Sequence, residues 1–125
     1  MITLVKDLNE ANGITHNGTM HDDEVFATAF LSLYFGDFKV ARVSEVPKDI
    51  STKTIVYDIG KGKFDHHQND ARIRDNGIKY SSFGLLFEEY GIKYLKKLKI
   101  KNVKQVYNYF VKDFFEAIDA IDDGI

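Results

Sequence analysis

The sequence predicts an α/β domain, a mainly parallel sheet flanked by helices. Three observations carry that expectation. Residues 54–58, Thr-Ile-Val-Tyr-Asp, form an almost wholly apolar, β-branched run of the kind found in strands of a parallel sheet. Segments with apolar residues at helical spacing alternate with short β-rich segments instead of being segregated from them. The chain has 125 residues, 44% of them hydrophobic, which is enough apolar material for one core of ordinary domain size.

Taken in order, residues 2–5 read as a short strand or arm and residues 9–13 as a turn. Gly13-Ile14-Thr15-His16 reads as a short strand running into a loop at Asn17-Gly18. A helix follows; Thr19 with Asp22 three residues on matches a short capping pattern, and other residues nearby also suit the N-cap. Its apolar face is Val25, Phe26, Ala29, Phe30, Leu33 and Tyr34, and Gly36 ends it. Residues 38–43 are a second strand and residues 47–52 a turn region. The run 54–58 is a third strand, expected to be buried on both faces, and stops at Asp58 before Gly60-Lys61-Gly62. Residues 81–90 read as a helix with Phe83, Leu86, Phe87 and Tyr90 on one face. Gly91 is expected to interrupt it, with residues 92–98 adding another turn or two. A last helix runs from about residue 102 to about 119, its buried stripe Val103, Val106, Phe110, Phe114 and Ile118.

Composition narrows the function. A net charge of −2 argues against a domain that wraps nucleic acid by bulk positive charge, so any such contact is local. The chain has no cysteine, which excludes disulfides and thiolate metal sites. No apolar run is long enough for a signal peptide or a membrane span, and the expectation is a soluble cytoplasmic protein with no membrane partner.

The four histidines fall into two clusters. His16 and His21 lie in Thr15-His16-Asn17-Gly18-Thr19-Met20-His21-Asp22-Asp23-Glu24-Val25. A strand end followed by a helix start is where ligand groups gather in open α/β sheets. There His21 and Asp23 can converge with His16 on a divalent cation, and imidazole plus carboxylate suits Mn²⁺, Fe²⁺, Co²⁺ or Zn²⁺. The alternative is a plain helix start, in which Asp22, Asp23 and Glu24 complement the helix dipole. Asp58 closes the apolar strand and meets solvent or a ligand at the sheet's end; taken alone it also suits a turn.

The second cluster, Asp65-His66-His67-Gln68, follows that strand and a glycine turn. Neighbouring side chains in an extended segment point to opposite sides, so one histidine can bind metal while the other faces substrate. Asp65 can fix an imidazole tautomer. Near the end, Ile118-Asp119-Ala120-Ile121-Asp122-Asp123-Gly124 puts Asp119 and Asp122 on one helix face. Acidic groups at a helix C-terminus oppose its dipole, and a bound cation would offset that cost. Arg42 is a candidate phosphate contact or a solvated strand-edge arginine. Lys93, Lys96, Lys97, Lys99, Lys101 and Lys104 either track a nucleic-acid backbone or are a solvated helix face.

The ordered set Thr15 to Val25, Asp58-Ile59-Gly60, Asp65 to Gln68 and Ile118 to Gly124 resembles the DHH phosphoesterase superfamily. Within it the chain is most similar to the melanocyte-proliferating-gene family of metal-dependent hydrolases and 3′→5′ RNA exonucleases. Ser81-Ser82-Phe83-Gly84 also resembles a helix start seen there. The resemblance implies two divalent metal ions, Mn²⁺ first, with Mg²⁺, Co²⁺ or Zn²⁺ as alternatives. It implies that His16, His21 and Asp58 hold one metal, and that Asp23, Asp58, His66 and either Asp119 or Asp122 hold the other. Asp58 would bridge and position the pair, and His67 would face the phosphate, stabilising it or protonating the leaving oxygen. RNA or a short oligonucleotide is the implied substrate, hydrolysed by metal-activated hydroxide. A small-molecule phosphatase or pyrophosphatase, or a non-catalytic metal-binding or oligomerisation module, are the competing functions. Family members continue past the Asp119–Gly124 region into a closing domain, so the chain is expected to be one DHH-like domain cut short before it. Pairing of its open cleft with a second copy is a further expectation.

Overall fold

The computed structural model describes residues 1–65, 67 and 72–122. Among these, four strands form one parallel sheet, β1 (Ile2–Leu4), β2 (Gly13–His16), β3 (Phe38–Val43) and β4 (Ile55–Val56), in the order β1-β3-β2-β4. The register pairs Ile14 with Ala41 and with Val56. The fold class is the predicted α/β.

Helix α1 (Asp22–Phe35) links β2 to β3. Its N-cap is His21, not Thr19, because Gly18 turns the chain at φ 81° and the Glu24 carboxylate accepts the His21 N–H at 2.9 Å. Its inward face is also shifted from the expected one. Asp23, Glu24, Ala27, Phe30 and Leu31 are buried, while Val25, Phe26 and Leu33 are exposed. The inward stripe begins with two carboxylates, so apolar periodicity alone places it wrongly.

Strand β4 is shorter than expected and half-buried, because it lies at the sheet's edge. Buried Tyr57 continues it through a bridge to Phe64. Helix α2 (Ser82–Lys97) runs unbroken through Gly91. A Cβ at that position would lie 2.9 Å from the Phe87 ring, so the glycine makes room for a packed aromatic instead of ending the helix.

The last helical stretch is α3 (Val103–Phe110), a π-helical segment (Val111–Phe115) and α4 (Glu116–Asp122). The wider turn advances the helical phase, so the inward residues become Tyr107, Val111, Phe115 and Ile118. Phe110 and Phe114 of the expected stripe are exposed.

One core cluster joins the helices to the sheet through Ala27, Leu31, Phe38, Tyr57, Leu86 and Phe115. Phe87 stacks on Phe115 at 3.9 Å between ring centroids and on Tyr107 at 5.1 Å. A second cluster, Ala11, Ile14 and Ala41, is closed by Val46, Ile50 and Val56 on the sheet's other face. Both cores leave free the C-terminal ends of β2 and β4, where the candidate site lies. No helix among the described residues is long and apolar enough to cross a membrane.

Candidate functional site

His16 is the last residue of β2, and its ring is oriented by the chain that follows. Nδ1 lies 2.8 Å from the Asn17 carbonyl oxygen, which can only accept, so Nδ1 carries a proton. Nε2 then points to Glu24 Oε1 at 3.0 Å and Asp58 Oδ2 at 3.1 Å. It is buried and makes no hydrogen bond among the described residues. The His21 ring stands beside it, 5.1 Å between centroids.

Asp58 sits just past β4 in the left-handed region, φ 59°. Aspartate tolerates that region better than most residues, and such conformations gather at functional sites. The carboxylate is buried, and the turn aims its two oxygens at different partners. Oδ2 faces His16, while Oδ1 accepts from Ser82 Oγ at 3.2 Å and lies 3.5 Å from His67 Nδ1.

Asp65 closes the loop. It takes the Lys61 N–H at 2.7 Å, the His67 N–H at 3.1 Å and the His67 Nδ1 at 2.8 Å. It thereby orients the half-exposed His67 ring.

The described residues thus offer two groups whose ligand atoms lie within 4.8 Å of one another: His16, His21 and Asp58, and Asp58, Asp65 and His67. Asp58 belongs to both. The donor set is nitrogen and carboxylate oxygen without sulfur, which fits a divalent transition cation or Mg²⁺.

Of the remaining predicted residues, those described lie outside both groups. Asp23 is buried, and takes the Glu24 N–H at 2.8 Å and the Ser82 N–H at 3.2 Å, joining the starts of α1 and α2. Asp119 is fully buried against Arg74 Nε at 2.6 Å, Ser81 N at 3.0 Å and Ser81 Oγ at 2.5 Å. Asp122 is half-buried, and neither Asp119 nor Asp122 falls in either group. His66 lies outside the described residues. Arg42 is not on a sheet edge: β3 runs between β1 and β2, and the guanidinium bonds the Gly18 carbonyl at 3.1 Å and approaches Glu24 at 3.6 Å.

Three carboxylates, Asp23, Asp58 and Asp119, therefore grip the N-terminus of α2 through Ser81 and Ser82, where unpaired N–H groups and the helix dipole favour negative charge. Gly84 is part of that grip, since a Cβ there would meet Asp119 Oδ1 at 2.6 Å. Below the site, Thr28 Oγ1 donates to the Glu24 carbonyl, so the Tyr57 hydroxyl donates to Thr28 at 2.6 Å. Burial pushes the Tyr57 phenol well above its ordinary value.

Sequence reasoning placed Glu24 only among helix-dipole residues, yet it is buried beside His16. Its signal was its place in the inward stripe of α1, one residue after Asp23.

The model of the family described as "Uncharacterised protein family (UPF0160)", MYG1_exonuc, matches residues 13–125. The chain is 36% identical over 126 residues to the MYG1 protein YER156C of Saccharomyces cerevisiae, covering 89% of this chain and 37% of that protein. It is 31% identical over 132 residues to the MYG1 exonuclease of Homo sapiens, covering 89% and 35%. It is 33% identical over 128 residues to the MYG1 protein C694.04c of Schizosaccharomyces pombe, covering 89% and 39%. The chain thus spans little more than a third of the length of these relatives. No solved structure matches it. By the family match along nearly its whole length, the chain belongs to the MYG1 family.

Proposed function

We propose that this chain is the metal-binding part of a two-metal phosphoesterase of the DHH type, acting on phosphodiesters of RNA or short oligonucleotides with Mn²⁺. The observation that carries the reading is Asp58, one buried carboxylate shared by two separate groups of ligand-type residues. Two-metal phosphoryl-transfer sites need such a bridge, because the ions must stand about 3.5–4 Å apart. The human relative's name, MYG1 exonuclease, supports a nuclease.

His16, His21 and Asp58 would hold one ion; Asp58 with Asp65 and His67 offers a place for the other. Bound cations would supply an activated water and neutralise charge on the phosphoryl oxygens. The chain's own residues do the positioning. Asn17 fixes the His16 tautomer, Ser82 steadies Asp58, and Asp65 sets the His67 ring. His67 is half exposed, so where the carboxylates alone hold that ion it can instead meet a phosphate entering from solvent and pass a proton to a leaving oxygen. Arg42 serves the site from behind, through Glu24 and the Gly18 carbonyl.

The test is Mn²⁺-dependent turnover of an end-labelled oligonucleotide and, in parallel, of pyrophosphate. Release of nucleotides from the oligonucleotide supports the reading. Turnover of pyrophosphate alone would move it to a small-molecule phosphatase. Metal uptake without turnover of either would leave a metal-binding module.

A further inference from the structure

We infer that a small apolar pocket between β1 and the start of α1 seats a base of the nucleotide substrate, beside the candidate metal site. This rests on the phosphodiester reading above and deepens it by naming the part of the substrate that the pocket takes. The pocket has a volume of roughly 250 Å³, and its walls include Ile2, Leu4, Met20, Val25 and Val40. Ile2, Leu4, Met20 and Val25 are 45–65% exposed, so this apolar surface is open to a ligand.

Thr15, Glu24, Thr28 and Arg42 complete the lining, but their polar groups are engaged with the protein. Thr28 Oγ1 donates to the Glu24 carbonyl, and Thr15 Oγ1 to Glu24 Oε2 at 3.5 Å. Glu24 Oε1 takes the His21 N–H at 2.9 Å, and Arg42 donates to the Gly18 carbonyl at 3.1 Å. The surface that a ligand meets is therefore almost wholly apolar.

A nucleotide has one apolar surface, the two faces of its base; the sugar is polar and the phosphate charged. Size agrees. Pockets for drug-sized ligands hold about 300–1,000 Å³, so this smaller one suits a single ring system and leaves sugar and phosphate outside. Place agrees as well. Glu24 lines the pocket, and its carboxylate lies 3.0 Å from His16 Nε2, so one side chain separates the pocket from the candidate metal site. Thr15 and Met20 are the chain neighbours of His16 and His21. A base seated there carries its phosphate, one sugar away, on the side of the histidines. Aliphatic walls hold a base by its faces and do not read its edge, which suits a nuclease that accepts any sequence.

The test uses the whole 125-residue chain with Mg²⁺. Methyl signals are followed by NMR during titration with adenosine 5′-monophosphate and, separately, with ribose 5-phosphate, which lacks the base. The nucleotide should shift the methyls of Leu4, Met20 and Val25 and bind more tightly than the sugar phosphate by about five- to tenfold, the low end of base stacking because the walls are aliphatic. Val25→Trp fills the pocket from an exposed helix position and should remove that difference while ribose 5-phosphate binds as before; circular dichroism verifies the fold. Leu4→Ser, which opens the wall from exposed β1, should narrow the difference and carries the test if tryptophan is not tolerated. Equal affinity for the two probes, unmoved methyls, or wild-type nucleotide binding in the variants would overturn the inference. So would broadening of the same methyls with protein concentration alone, with a dimer mass by light scattering, since a second copy would then cover the pocket. Any of these together with Mn²⁺-dependent release of nucleotides would sink the base pocket alone. No binding of either probe and no turnover would sink the phosphodiester reading with it.

Discussion

The two ends of the parallel sheet are built on opposite principles. At the C-terminal ends of β2 and β4, buried carboxylates crowd together: Asp23, Glu24, Asp58 and Asp65, with Asp119 close behind through Ser81. At the N-terminal ends lies a groove of roughly 910 Å³, lined by Tyr34, Phe35, Phe38, Thr54, Phe64 and Tyr90. The groove is roomy, but neither group of convergent ligand-type residues found among the described residues lies there. Volume measures room for a ligand; convergence of buried charge measures what the fold is held ready to bind. Desolvating carboxylates is costly, and among the described residues the buried ones stand at the first end.

The largest effect should follow from Asp58→Asn. Asparagine tolerates the left-handed backbone and can still accept from Ser82 Oγ, so the fold should persist. Mn²⁺ binding should be lost from both groups at once, read by calorimetry; loss from one alone would break the bridge assignment.

Next comes Arg74→Met. Arg74 is largely buried and pairs with Asp119, so the substitution leaves that carboxylate with the Ser81 donors alone. Breaking a buried pair from one side costs about 3 kcal/mol, read as a lowered urea midpoint. A cost below about 1 kcal/mol would show that the grip on α2 does not need the arginine.

A smaller effect is expected for Tyr57→Phe, which removes the hydrogen bond to Thr28 at about 1 kcal/mol. It should also change the response to alkali. The folded phenol holds its proton above the ordinary value of 10.0, so the unfolded chain ionises first. Tyr57 therefore contributes stability that is present below about pH 10 and is lost as pH rises further. The variant should lose less stability between pH 9 and about pH 11 in parallel urea titrations. Tyr80, Tyr90 and Tyr107 are also raised by burial, so part of the alkaline loss should remain.

The smallest effect belongs to the groove. The Lys63–Glu89 pair lies on its rim, and the lysine holds the Glu89 carboxyl below its ordinary value. That pair supports the fold above the ordinary carboxyl range and fades as pH falls, but it is exposed and screened. Glu89→Gln should leave Mn²⁺ affinity and the urea midpoint at neutral pH at wild-type values. A change in metal binding would contradict the separation of the two ends.

Much of the fold was legible because it rests on local chemistry. The β-branched run before Asp58 and the start of α2 at Ser81 both follow from residue type. The errors arose where tertiary needs override periodicity. Apolar spacing points to the wrong face of α1 because its inward stripe opens with Asp23 and Glu24, which no apolar pattern reveals. The stripe of the last helix departs from its sequence spacing because the π turn at residues 111–115 changes its phase. Gly91 looks like a break in the sequence, though its lack of a side chain serves the Phe87 ring.

At the site, the segregated histidines marked the region. The sequence could not show which carboxylates face them. Asp119 and Arg74 meet across 45 residues, and Glu24 meets His16 only after a loop has folded back.

The most direct measurement is anomalous scattering from a crystal of this chain grown with Mn²⁺. Two peaks are expected about 3.5–4 Å apart, both within bonding distance of the Asp58 carboxylate, one of them also against His16. A single peak, or a pair that does not share Asp58, would contradict the bridging role of Asp58.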